Sequence, residues 1–182
     1  NGWRHIYFLN TFFIYIAIVG FYQIGLYLKR KIKKNFHYHI TILFALTVIY
    51  QMIIYHPFQN VYFNNYFNKI SHLKYEVDYW GLSGKKFLEE ILIEEKEKTL
   101  IKIGTASWLP LERSIKLLNK NDRDRIMLVG QNFDDADYLY SNFMTEVDKN
   151  YNSKYTIPDN FTKTKEFILN DIKIYEVYKK NS

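Results

Sequence analysis

The chain has 182 residues, no cysteine and a formal net charge of +6. The missing cysteine excludes disulfides and thiolate metal sites. Arg4 supplies one positive charge and Lys29, Arg30, Lys31, Lys33 and Lys34 supply five, so the other 19 basic and 19 acidic residues cancel. That pattern argues against nucleic-acid binding, which needs clustered cations on an accessible face.

The charges divide the chain in two. Neither residues 5–28 nor residues 35–58 contain Asp, Glu, Lys or Arg, and every acidic residue lies at or after Glu76. A bilayer core needs about 20 apolar residues in a helix, so these stretches predict two transmembrane helices, over about 5–28 and 38–55. Asn10, Thr11 and Gln23 would face sister helices, and Tyr7, Tyr22 and Tyr27 suit an interfacial belt. Pro57 disfavours helix at His56 and ends the second span. The competing reading is a buried hairpin of a large soluble core. The basic loop 29–34 between the spans predicts its own cytoplasmic side. The chain start and everything after Pro57 would then be extracytoplasmic, as in a multi-pass protein of the plasma (inner) membrane. His37 and His39 read as interfacial residues.

Residues 58–74 read as an aromatic, Asn-rich connector, and residues 75–182 as a small α/β domain. Its predicted elements are a strand over 75–79, an amphipathic helix over 85–98, a strand over 100–103, a helix over 109–119 and a strand over 125–130. A short strand over 138–140 and a hairpin over 167–178, turning at Asn170 and Asp171, complete it. This order predicts a mainly parallel sheet with helices packed on it and an antiparallel C-terminal hairpin. The fold class is therefore two transmembrane helices plus an extracytoplasmic α/β domain. No internal repeat or low-complexity segment is visible.

Three clusters stand in a telling order. Asn1, Gly2, Trp3, Arg4 and His5 precede the first span. His56, Pro57, Phe58, Gln59, Asn60, Val61, Tyr62, Phe63 and Asn64 follow the second. Asp78, Tyr79, Trp80 and Gly81 close the first strand of the α/β domain. This run resembles the C-terminal end of bacterial polytopic GT-C glycosyltransferases, which are similar to the dolichyl-phosphate-mannose protein mannosyltransferase superfamily. The resemblance covers about 20 residues closely and most of the chain loosely. It implies transfer of a sugar from a polyprenyl-phosphate donor on the extracytoplasmic side, with membrane lipid and that donor as partners. The family's catalytic acid lies in an early loop that has no counterpart here. The chain, which begins with Asn, is therefore expected to be a fragment that is inactive alone. The alternative is a complete two-span protein whose outer domain binds or scaffolds.

Candidate residues follow from this reading. Arg4 offers a planar fork for a donor phosphate, with an interfacial headgroup anchor as its plainer role. His5 and His56 are further phosphate candidates, and His56 would otherwise cap a helix end. Asp78, Tyr79 and Trp80 suit a sugar-binding platform or, as architecture, a capped turn and a junction filler. Gly104, Thr105, Ala106 and Ser107 lie where a strand meets a helix, a place that attracts anions. They lack a glycine-rich fingerprint and a phosphate-binding lysine. Asp134, Asp135 and Asp137 form an acidic loop that reads as a solvated turn and matches no calcium-loop spacing. No cofactor is expected, and a divalent cation is left open. Asn160, Phe161 and Thr162 match a glycosylation sequon by pattern only.

Overall fold

A computed structural model of the chain describes residues 9–31, 36–58, 76–145 and 149–181. Contacts divide the chain into two compact units, Asn1–Ile54 and Tyr55–Ser182.

The first unit holds helices α1 (Leu9–Lys31) and α2 (Phe36–Ile54). Phe21 of α1 packs on Phe44 of α2, with ring centroids 5.9 Å apart. Phe13, Tyr15, Leu43 and Ile53 leave much of their apolar surface exposed. Helix α2 stops at Ile54, ahead of a cis His56–Pro57 peptide bond.

The expectation of transmembrane helices is overturned here. Among the described residues no helix is long and apolar enough to cross a membrane. Strongly polar side chains interrupt both helices. Asn10 and Gln23 bracket 12 residues (11–22) of α1, and His39 and Gln51 bracket 11 residues (40–50) of α2. At a rise of 1.5 Å per residue those stretches measure about 18 and about 17 Å, against roughly 30 Å of hydrocarbon. Freedom from formal charge overstated the apolar length, because Asn, Gln and His are uncharged yet costly to desolvate. The plasma (inner) membrane localisation, the multi-pass topology and the cytoplasmic and extracytoplasmic sides all rested on those spans. They fall with them.

The second unit is an α/β fold. Its elements are α3 (Leu82–Glu94), β1 (Ile101–Thr105), α4 (Glu112–Ile115), α5 (Lys120–Asp124), β2 (Ile126–Gly130), β3 (Tyr138–Ser141), β4 (Phe161–Leu169) and β5 (Ile172–Lys180). The five strands form one sheet in the order β2-β1-β3-β5-β4. Strand β1 pairs in parallel with β2 and β3, while β5 pairs antiparallel with β3 and β4. The sheet is thus evenly mixed rather than mainly parallel.

Helix α3 buries Phe87, Leu88, Ile91 and Leu92 in one core cluster with Ile101 and Ile103 of β1, Tyr140 of β3 and Ile174 of β5. The core reaches back to Tyr55 and Phe58, each 3% exposed, and the Phe58 ring packs at a tilt against Phe167, with centroids 5.4 Å apart. A smaller cluster gathers Ala106, Phe133, Ala136, Leu139 and Phe161.

Four element boundaries depart from expectation. Residues 77–80 form a turn, not a strand, because the Asp78 carbonyl accepts the Gly81 amide (3.0 Å) and no strand pairs alongside. Helix α3 ends at Glu94 because the Arg125 guanidinium holds the carbonyls of Glu95, Lys96 and Lys98. Of the expected helix over 109–119 only the single turn of α4 forms, and α5 starts beyond its expected end. Arg123 captures the Lys116 and Leu118 carbonyls, and Asn119 opens α5 by accepting the Asp122 amide at 2.9 Å. Finally, β4 begins six residues before Phe167, as a largely exposed edge strand rich in charge.

Candidate functional site

The site is built at the carboxyl ends of β1 and β3. Strand β1 is followed by β2 on one side of it, and β2 by β3 on the other. Ligands of open α/β sheets bind where the connections part in this way. The loop after β1 is pinned to β3 and the loop beyond it. The Ala106 amide donates to the Tyr140 carbonyl, and the Trp108 amide to the Met144 carbonyl, both at 2.8 Å. The Ser141 hydroxyl donates to the Ala106 carbonyl at 3.2 Å. These bonds fix the backbone that carries Trp108.

The opposite wall is the turn before α3, and Asp78 organises it. Its Oδ1 accepts the Leu82 amide (2.9 Å), satisfying one of the free donors of the first helical turn. Its Oδ2 accepts from the Ser83 hydroxyl (2.6 Å), the Tyr140 hydroxyl (3.2 Å) and Asn142 Nδ2 (3.3 Å). Ser83 Oγ and Tyr140 Oη are themselves 2.6 Å apart. Asp78, Ser83 and Asn142 are all buried, and among the described residues no cation pairs with Asp78. Burial raises the carboxyl above its ordinary value, and the bonds from Ser83, Asn142 and Tyr140 offset part of that rise. Burial, and after it the Asp78 charge, holds the Tyr140 phenol protonated well above its ordinary range.

The Asp78 network sets the turn that follows. Gly81 has φ +66°, and a Cβ there would sit 2.3 Å from Leu109 Cδ2. Only glycine combines that left-handed backbone with so close an approach. The turn therefore packs against the loop after β1 and presents Trp80 outward, 68% exposed. The Tyr79 ring meets Trp80 edge-on at 5.2 Å and Trp108 at 6.2 Å.

Between the two walls lies a pocket of about 320 Å³, lined by Tyr79, Trp80, Gly81, Trp108, Leu109, Pro110, Arg113 and Ser114. Its size is at the lower end for small-molecule sites (about 300–1,000 Å³). Arg113 is the one charged residue of the lining.

The candidate residues separate accordingly. Asp78 points into the fold and shapes the site without lining it, whereas Tyr79 and Trp80 line the pocket. Trp108 and Arg113 complete the site but carry no sequence motif. His56 is exposed on the turn between the buried Tyr55 and Phe58 and is not part of the pocket lining. Arg4 and His5 lie outside the described residues. In the stretch 104–107, Thr105 and Ser107 are buried, and the Ser107 hydroxyl has no hydrogen-bond partner among the described residues.

The acidic loop holds its carboxylates apart. Asp137 accepts the Lys102 amide (2.8 Å) and the Lys98 ammonium (2.9 Å), and Asp135 accepts Asn132 Nδ2 (2.7 Å). Among the described residues no group of three His, Asp or Glu could hold a metal ion.

No family model, curated protein or solved structure matches the chain.

Proposed function

We propose that the α/β unit is a saccharide-binding element serving a glycosyltransferase that draws on a polyprenyl-phosphate sugar. The observation that carries the binding reading is the aromatic pocket of Tyr79, Trp80 and Trp108 at the carboxyl ends of β1 and β3. Aromatic faces are electron-rich, and the C–H groups on one face of a pyranose ring are weakly positive, so the two stack without desolvating hydroxyls. The link to glycosyl transfer rests on the run from the Trp3–Arg4–His5 cluster to the Asp78–Tyr79–Trp80–Gly81 cluster described above.

The pocket suits holding a sugar rather than activating one. General-base catalysis needs a carboxylate or imidazole within hydrogen-bond reach of the acceptor. The lining has neither, and Asp78 is committed to its buried network. Binding of the carrier's sugar or of a glycosylated acceptor both fit this chemistry.

The test is a tryptophan-fluorescence titration of the full chain with cellotriose and mannotriose. Saturable quenching is expected with at least one of them, and Trp80→Ala should weaken it roughly three- to tenfold, the worth of one stacked aromatic. Trp80 is mostly exposed, so the variant should keep its fold. No quenching by any neutral or acidic saccharide would refute the reading. Binding unaffected by Trp80→Ala would remove the pocket from it.

A further inference from the structure

We infer that the pocket selects an acidic saccharide, one that carries its carboxylate or phosphate on the sugar itself, and that Arg113 is the residue that reads the charge. This rests on the saccharide reading of the same pocket and narrows its ligand class.

Arg113 lies on α4, in the short connection that follows the loop carrying Trp108. It lines the same pocket as Tyr79, Trp80 and Trp108. Its side chain is exposed, and among the described residues it makes no hydrogen bond, ion pair or ring contact. The other arginines nearby are spent on structure: Arg123 on the Lys116 and Leu118 carbonyls, Arg125 on the end of α3. Arg113 therefore has its whole planar fork available, and no carboxylate shares the pocket lining with it. Asp78, the nearest acid along the Tyr79–Trp80 wall, is buried and turned to Ser83, Tyr140 and Asn142.

A guanidinium beside aromatic faces distinguishes two sugars of the same ring. Both stack, but only the one with an anionic group gains a charge-assisted, forked pair of hydrogen bonds. Because Arg113 is exposed, the gain is moderate and screened by salt.

The experiment titrates the full chain with cellotriose, with trigalacturonate, with glucose 6-phosphate and with inorganic phosphate, each at low and high salt. The expected result is that trigalacturonate binds about five- to tenfold tighter than cellotriose at low salt. The preference should vanish in Arg113→Gln and shrink in high salt. Preference for glucose 6-phosphate over trigalacturonate would assign the charge to a phosphate, and the reverse to a carboxylate. Equal affinity for neutral and acidic saccharides, unaltered by Arg113→Gln, would overturn this inference and leave the saccharide reading standing. Inorganic phosphate binding as tightly as the acidic sugars would overturn it too, as a plain anion site. Failure of every saccharide to bind would remove both readings.

Discussion

Asp78 and Glu176 are the two buried carboxylates among the described residues, and their surroundings set them apart. Asp78 is met by hydroxyls, an amide and a backbone N–H, without a cation. Burial therefore wins, and its carboxyl is raised above 3.8. Burial also pushes Glu176 upward, but Lys173 at 2.8 Å, the Tyr178 hydroxyl at 2.6 Å and Lys163 at 3.4 Å outweigh it, and the group falls below 4.5. The two contribute to stability with opposite signs. The Asp78 contribution is full below its unfolded value and is lost as pH rises through the raised folded value. The Glu176 contribution is present above its unfolded value and is lost as pH falls through the lowered folded one. Urea denaturation across the acid range should show this. The stability advantage of the wild type over Asp78→Asn should shrink as pH rises from about 4, while its advantage over Glu176→Gln should grow. Parallel pH profiles for the two variants would contradict these environments.

The helices and strands show where local sequence decides structure and where a distant side chain does. Strands β1, β2 and β3 fall on short apolar runs with few alternatives, and they lie close to the expected positions. The β4–β5 turn was equally plain. Asn170 and Asp171 both have positive φ (48° and 65°), as a two-residue hairpin loop requires. What was not legible depended on partners far away in the chain. Strand β4 carries Lys163, Thr164, Lys165 and Glu166 on an exposed edge, so its first half lacks the apolar alternation of a buried strand. The end of α3 is set by Arg125, about 30 residues on, which no helical periodicity reveals. We expect Arg125→Met to cost about 1.5–3 kcal/mol, the scale of hydrogen bonds from a charged donor. Loss of amide-exchange protection should concentrate in the last turn of α3. A variant as stable as the wild type would show that water serves equally well at the carbonyls that Arg125 holds. The candidate site follows the same rule. Tyr79 and Trp80 belong to a motif visible in the sequence, but Trp108 and Arg113 join them only through the connection that follows β1.

At the scale of the molecule, Tyr55–Ser182 holds its own core. Tyr55 and Phe58 are sealed into it, and Asn170 Nδ2 donates to the Tyr55 hydroxyl. A domain begun at residue 75 would lack both aromatics. The piece Tyr55–Ser182 should therefore unfold in one cooperative transition, and Phe58→Ala should lower its stability by about 3–5 kcal/mol. A broad, non-cooperative melt, or an unaffected Phe58→Ala, would show that the core closes without this segment.

The proposed saccharide would occupy the pocket of Tyr79, Trp80 and Trp108. The most direct measurement is the indole N–H region of the proton–nitrogen correlation spectrum, assigned with Trp80→Phe and Trp108→Phe. On addition of cellotriose and of trigalacturonate, the Trp80 and Trp108 signals should move together, saturably, at one apparent Kd for each sugar. Indole signals that stay in place at saturating concentrations of both sugars would contradict the account.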